Sequence, residues 1–280
     1  MSFSAEWLSL REPADHAALN ADVRQALRRR FEGRDAIAVV DLGCGAGSNL
    51  RGTWAALPAR QSWTLVDYDA RLLAAAREKL IEWADAASIS GDALSLRKGS
   101  ATLEVSFRQV DLSGGNFAGV TEGADLVTAA ALFDLVSPSG IEALAASLAA
   151  RGQTFFTVLT YDGEASWRPS HPADSAILAA FNQHQAGDKG FGPAAGPGAT
   201  DALAKAFHRR GYGVLRGASP WILDGSLARL RAELDRGFAN AALETGLVPS
   251  GDVSAWLAHR LAGGERLSII GHEDLLATPE

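Results

Sequence analysis

The stretch VVDLGCGAGSN, Val39–Asn49, constrains this chain more than any other. Apolar residues give way to an acid, and Gly43, Gly45 and Gly47 then alternate with small residues. Glycine at that density admits backbone dihedrals closed to other residues and lets a ligand approach with no Cβ in its way. The run before it, AIAVVDL at 36–42, is short, apolar and β-branched, the pattern of a strand buried on both faces. The stretch near 49–58 reads as a helix ending before Pro58, and its first N–H groups would point back at whatever fills the turn. Strand, glycine turn and helix in that order predict a nucleotide site at the carboxyl edge of an open parallel sheet.

Elsewhere strand and helix patterns alternate. The spacing of Ala17, Leu19, Val23, Ala26, Leu27 and Phe31 predicts a helix over 14–31, stopped at Gly33. SWTLVDYD at 62–69 reads as a second strand and 70–88 as a long helix. Extended runs flank the RKGS turn over 93–112, and 124–132 and 153–162 add strands with a helix at 140–150 between them. Such alternation predicts an α/β chain with a parallel sheet covered by helices on both faces. Residues 161–199 are rich in Gly, Pro and Ala around a short helix at 174–184 and read as a substrate or lid loop. A helix at 199–211, an extended run at 212–223, helices at 225–245 and 252–262 and a last extended run at 265–277 follow. The expected organisation is an N-terminal helical cap at 1–34, a cofactor-binding core at 35–160, the loop at 161–199, and the rest of the sheet at 200–280 with helices inserted at 225–262.

Composition narrows the function classes. With 280 residues, 47% of them hydrophobic, the chain can bury a substantial core. No apolar run spans a bilayer, and MSFSAEWLSLREPAD lacks the basic start and apolar run of a signal peptide. Cys44 stands alone, which excludes an internal disulfide and a cysteine-clustered zinc site. A cytoplasmic protein with no membrane partner is expected. The net charge of −7 argues against nucleic acid, whose binding rests on Lys and Arg displacing counterions. The basic run Arg28, Arg29, Arg30 reads instead as the solvated end of a helix.

Two ligand classes compete for the turn. The dinucleotide fingerprint is G-x-G-x-x-G, whereas this chain has G-x-G-x-G with Ser48 at the sixth position. Asp41, two residues before Gly43, lies where a pyrophosphate would sit. An anion beside a buried carboxylate is costly and a cation is favoured, so the turn suits a ligand with an amino or sulfonium charge next to its ribose. DLGCGAGSN resembles motif I of the class I S-adenosylmethionine-dependent methyltransferases, here of the small-molecule type: an acid, one residue, then G-x-G-x-G. The resemblance covers roughly residues 36–160 and extends loosely through 200–223 to 266–276. It implies a Rossmann-like, doubly wound, mostly parallel seven-stranded sheet with helical cap insertions, the last strand lying between the fifth and sixth. It implies S-adenosyl-L-methionine as cofactor, bound by Asp41, Gly43, Cys44, Gly45, Gly47 and Asn49. Asp67, 20 residues after Gly47, would take the ribose hydroxyls, with Tyr68 against the adenine and Asp69 capping the next helix. Asp111 and Leu112 would meet the adenine edge, and Ala129 and Ala130 the methionine ammonium.

Methyl transfer from a sulfonium is a direct displacement, so alignment is the protein's main task, and a hydroxyl acceptor would also need a base. The segment after the fifth strand is expected to build the acceptor site. His184, His171 and Asp162 are its candidate catalytic groups, and Tyr161, Asn182, Asp188 and Lys189 its candidate substrate contacts. Arg11, on the leading segment, is available for a substrate carboxylate. This mix suits O- or N-methylation of a small polar metabolite. No metal is expected, because H-x-x-D and H-x-x-x-D match no firm ligand pattern, and the expected assembly is a monomer or homodimer. Three alternatives stay open: a nicotinamide-dinucleotide oxidoreductase, a cofactor-binding protein without turnover, and a methyltransferase of RNA or protein.

Overall fold

Both faces of the run Ala36–Leu42 are apolar, and the strand it forms, β1, is buried in the middle of a sheet. Ile37 and Val39 enter one hydrophobic cluster and Val40 and Leu42 the other, as a two-residue side-chain period requires. The computed structural model describes residues 3–113, 115 and 117–280. Met1 and Ser2 of the expected cap fall outside the described residues.

The other strands are β2 (Arg60–Asp67), β3 (Ala86–Ser90), β4 (Ala93–Lys98), β5 (Ala101–Gln109), β6 (Leu126–Ala130), β7 (Thr154–Arg168), β8 (Tyr212–Ala218), β9 (Trp221–Leu223) and β10 (Leu267–Pro279). Their order is β3-β4-β5-β2-β1-β6-β7-β10-β8, with β9 paired to β10. β5, β2, β1, β6 and β7 run parallel, and β10 lies antiparallel between β7 and β8. Chain direction across the sheet reverses between β1 and β6, which opens a crevice at the strands' carboxyl ends. The fold is thus Rossmann-like, doubly wound and mostly parallel. Ten strands replace the expected seven, because a hairpin of β3 and β4 widens one edge and β9 adds a short strand to β10.

Helices α1 (Ala5–Ala18), α2 (Ala21–Arg30), α3 (Ser48–Thr53), α4 (Ala70–Trp83), α5 (Pro138–Ala149), α6 (Asp174–Gln185), α7 (Ala199–His208), α8 (Ala228–Thr245) and α9 (Ser250–Leu261) complete the described chain. Three of them depart from the sequence reading. The single helix expected at 14–31 is two, because Asn20 stops α1 and caps α2 by accepting from the N–H groups of Asp22 and Val23. α1 also starts at Ala5, nine residues before the expected start, and carries Pro13 within it. α4 ends at Trp83 rather than 88, and Ala86–Ser90 goes to β3.

The largest departure is β7. The segment from 161 was expected to be loop, yet β7 runs on to Arg168. Tyr161, Gly163 and Trp167 are buried while Glu164, Ser166 and Arg168 are exposed, a strand alternation that the glycine disguised. β10 pairs along that extension, from Leu267 opposite Arg168 to Ala277 opposite Phe155. On it α6, α8 and α9 make a second apolar layer, with the Trp167 ring edge-on to Phe238 at 5.2 Å and to Trp256 at 5.4 Å. Such aromatic pairs add about 0.5–1.5 kcal/mol each beyond the area they bury. The helices inserted at 225–262 therefore brace the long strand pair. None of their residues lines the crevice.

Candidate functional site

The turn after β1 depends on left-handed backbone. Gly43, Gly45 and Gly47 have φ of 62°, 53° and 76°, a region that costs a residue with a Cβ about 1–2 kcal/mol. Space is a second constraint at Gly45, where a Cβ would meet Leu8 Cδ1 of α1 at 2.9 Å. Beneath the turn lies Asp41, fully buried. Its Oδ1 accepts from Asn49 Nδ2 at 2.7 Å, and the same Nδ2 donates to Thr128 Oγ1 at 3.1 Å. Asp41 Oδ2 has no hydrogen-bond partner among the described residues. Burial pushes the Asp41 pKa up to about 7, with the Asn49 hydrogen bond opposing and the nearby Asp67 adding to the rise. A buried carboxylate left one donor short favours a cation over an anion near the turn.

Asp67, the last residue of β2, forms the next wall. Its Oδ2 accepts from the Gly45 N–H at 2.9 Å and its Oδ1 from the Asp69 N–H at 3.0 Å, tying β2 to the turn. Burial raises its pKa against the pull of those backbone donors. Each oxygen retains acceptor capacity for a hydroxyl. Asp69 caps α4 by accepting from the Arg71 N–H at 2.9 Å. Asp111, exposed just beyond β5, accepts from the Ser113 N–H at 2.8 Å, which holds its carboxyl below the ordinary range.

Across the crevice, Ala131 after β6 and Leu159 within β7 both have positive φ, 49° and 57°. Each such residue costs about 1–3 kcal/mol, and strain of this kind concentrates where ligands are handled. Asp274 of β10 holds the Leu159 kink. Its Oδ1 accepts from the Leu159 N–H at 2.9 Å, and its Oδ2 from the Asn20 N–H between α1 and α2 at 2.8 Å. α1 roofs the crevice with Leu8, Arg11, Asp15 and His16, and Leu19, just past its end, continues that face. It is tied down by Glu12, whose oxygens accept from Arg51 Nε and Nη2 at 2.7 Å each, and by His16, whose Nε2 lies 3.0 Å from the Ser48 carbonyl. The cavity measures about 310 Å³, the scale of a small-molecule site.

Of the expected cofactor residues, Gly43, Cys44, Gly45, Asn49, Asp67, Tyr68, Asp111, Leu112 and Ala130 line this cavity. Asp41, Gly47 and Ala129 stand behind the lining. Asp41 acts through Asn49, Gly47 precedes α3, and the Ala129 carbonyl accepts from Thr157 Oγ1 at 3.3 Å. Of the expected acceptor residues, Arg11 and Lys189 line the cavity. The rest are placed elsewhere. His171 accepts the Ala173 N–H through Nδ1 and lies against His259 with ring centroids 5.1 Å apart. His184 joins α6 to α8, its Nε2 2.9 Å from Glu244. Asp162 accepts from the Glu164 N–H at 2.9 Å beside β10. Tyr161 donates to Asn182 Oδ1 at 2.8 Å and Asn182 donates to the Gly163 carbonyl at 2.9 Å, which latches α6 onto β7. Asp188 accepts from the N–H groups of Gly190 and Gly192 and shapes that loop. None of the catalytic candidates His184, His171 and Asp162 lines the cavity, although His184 Nδ1 lies 3.2 Å from Nζ of the lining residue Lys189.

The sequence reading missed Leu8, Asp15, His16, Leu135, Val158, Leu159 and Phe191, all in the lining. The helical stripe 8–11–15–19 was available as a signal, but the expected helix began only at residue 14. Nothing in the sequence marks the kink at Leu159. Among the described residues, no three His, Cys, Asp or Glu side chains are grouped to hold a metal ion, and no helix is long and apolar enough to cross a membrane.

No family model and no curated protein matches the chain. Solved structures do. The YcgJ protein from Bacillus subtilis superposes with a TM-score of 0.50 at 12% identity, covering 93% of this chain and 100% of its own. A SAM-dependent methyltransferase from Geobacter sulfurreducens in complex with S-adenosyl-L-homocysteine gives 0.48 at 18% identity and 100% coverage of both chains. Another, from Thiobacillus denitrificans with the same ligand, gives 0.48 at 16% identity, covering 99% of this chain and all of its own.

Proposed function

We propose that the protein is a class I S-adenosylmethionine-dependent methyltransferase that methylates an oxygen or nitrogen of a small molecule by direct displacement. One observation carries the reading: at the ends of adjacent parallel strands, Asp67 and Asp111 line one crevice and the buried Asp41 stands behind its lining. Asp41 and Ser48 make the turn a poor seat for a pyrophosphate, and the Asp41 oxygen without a donor fits a cation instead. When bound, the cofactor supplies a methyl group on a positively charged sulfur.

The chain's own residues then do four things. Asp67 accepts hydrogen bonds from the ribose hydroxyls. Tyr68 and Leu112 bound the adenine, with Asp111 at its edge. Asp41, through its charge and through Asn49, favours the cationic end of the ligand. Ala130, Ala131, Val158 and Leu159 shape the wall where the acceptor lies, and α1 closes the site against water, so the acceptor is held in line with little solvent to displace. The small lining side chains and the roofed cavity suit a small acceptor better than a folded macromolecule.

Thermal unfolding with S-adenosylhomocysteine, NAD or NADP tests the reading. A ligand at 100 times its Kd adds about 2.7 kcal/mol of stability, so S-adenosylhomocysteine raises the midpoint by several degrees and the dinucleotides do not. A rise with NAD or NADP alone would overturn it.

A further inference from the structure

Arg11 is built to receive something that the protein itself does not supply. Its Nε donates to both oxygens of Asp15, at 2.9 and 3.2 Å, and its guanidinium lies 5.0 Å from the Trp221 ring centroid. Trp221 Nε1 in turn donates to Asp15 Oδ1 at 3.1 Å. The Arg11 side chain is only 12% exposed and that of Asp15 10%. The side chain is therefore clamped from two sides and lines the cavity. Nε is its one nitrogen with a hydrogen-bond partner among the described residues, and its two terminal nitrogens are not among the buried atoms that lack a partner, so they remain accessible from the cavity. A guanidinium held in place by its Nε and presenting its terminal N–H groups to a cavity is preorganised for a planar anion.

Position separates this fork from the nucleotide's half of the crevice. Arg11 rests on β9 through Trp221, and its charge acts on Asp134 after β6 and on His272 of β10. Those elements lie on the β6–β7–β10 side of β1, whereas Asp41, Asp67 and Asp111 lie at β1, β2 and β5. His272 is held neutral by burial, with a pKa lowered to about 3, so it adds no positive charge beside Arg11. Asp15 and Asp134 surround Arg11 with negative charge, which disfavours a phosphate dianion and leaves room for one singly charged, planar group. The neighbouring wall, Leu132, Leu135, Val158, Leu159 and Phe191, is apolar.

We infer that Arg11 is the receptor for the carboxylate of the methyl acceptor, an apolar monocarboxylic acid whose hydrocarbon body lies on the Leu132–Leu135 and Val158–Leu159 wall. This rests on the methyl-transfer reading and names the substrate class within it.

Calorimetry on the protein saturated with S-adenosylhomocysteine tests it, with benzoate, phenylacetate and hexanoate titrated against their neutral amides. Wild type binds at least one acid more tightly than its amide by about tenfold or more, the usual scale for a bidentate charged pair. Arg11→Gln abolishes that preference and leaves S-adenosylhomocysteine affinity within about twofold, and Arg11→Lys, which keeps the charge but not the fork, retains part of the preference. Three results overturn the inference: no acid preferred over its amide, a preference that survives Arg11→Gln, or a loss of S-adenosylhomocysteine affinity in Arg11→Gln and Arg11→Lys that would seat Arg11 on the cofactor. Wild type that binds no S-adenosylhomocysteine at all overturns the methyl-transfer reading itself, a failure distinct from these three.

Discussion

Asp41→Asn is expected to stabilise the ligand-free protein at alkaline pH and not at acid pH. Burial raises the Asp41 pKa from the ordinary 3.8 to about 7, and at 1.36 kcal/mol per pH unit the ionised group costs about 4 kcal/mol. A carboxyl whose folded pKa lies above its unfolded value contributes stability that is fully present below the unfolded pKa and is lost as pH rises through the folded one. The window here runs from 3.8 to about 7. Asparagine is neutral throughout. Its Oδ1 can still accept from Asn49 Nδ2, but its amide nitrogen takes the place of the donor-less Oδ2 and stays unpaired, an offset of about 1–3 kcal/mol against the variant at every pH. The offset cancels in a comparison between two pH values. Urea unfolding of both proteins at pH 5 and pH 8 therefore gives a stability difference that moves in favour of Asp41→Asn by about 3 kcal/mol on going to pH 8. The same variant binds S-adenosylhomocysteine more weakly at pH 8, since it has lost the charge that favours the ligand's ammonium. A stability difference constant to within about 0.5 kcal/mol between the two pH values would refute the account of a strained, ionised Asp41 beneath the turn.

Asp67→Ala, which removes the acceptor at the end of β2, weakens S-adenosylhomocysteine by about 1.5–3 kcal/mol; an unchanged Kd by calorimetry would remove the ribose from Asp67. Glu12→Gln breaks the tie between α1 and Arg51, whose side chain is 5% exposed, and costs about 2–4 kcal/mol in urea unfolding at pH 7. Although burial alone would raise the Glu12 pKa, the Arg51 hydrogen bond and charge outweigh it and the net direction is down. Wild type therefore loses this advantage as pH falls through that lowered value, and the difference between the two proteins shrinks toward zero in acid.

How much of this was legible in the sequence follows from where each signal sits along the chain. The glycine turn, the acids at the ends of β1 and β2 and the alternation of strands with helices are local patterns. They were readable because a parallel strand buried on both faces has to be continuously apolar. Asp69 was readable as a helix cap for the same reason. The acceptor side is made by tertiary events instead. Gly163 through Arg168 looked like loop because Gly163 interrupts the apolar pattern, and only β10, about a hundred residues later, turns it into strand. His171 and His184 looked chemically promising as residue types, yet neither lines the cavity: His171 Nδ1 accepts from the Ala173 N–H, and the His184 nitrogens face Glu244 and Lys189. Arg11 was named, but the groups that hold it, Asp15 one helical turn on and Trp221 across the molecule, belong to no local motif.

Asp274 has a bearing on how the protein assembles. One carboxylate grips both the bend at Leu159 and the joint at Asn20, partners separated from each other by about half of the chain. A folding intermediate with β1 to β7 in register and β10 still unpaired would display the glycine loop to solvent and enclose nothing, because neither the bent wall nor the lid would be anchored. Contacts of such sequence separation form late. Nucleotide affinity in a refolding experiment would then rise only with the final strand, and would serve as a clock for its docking.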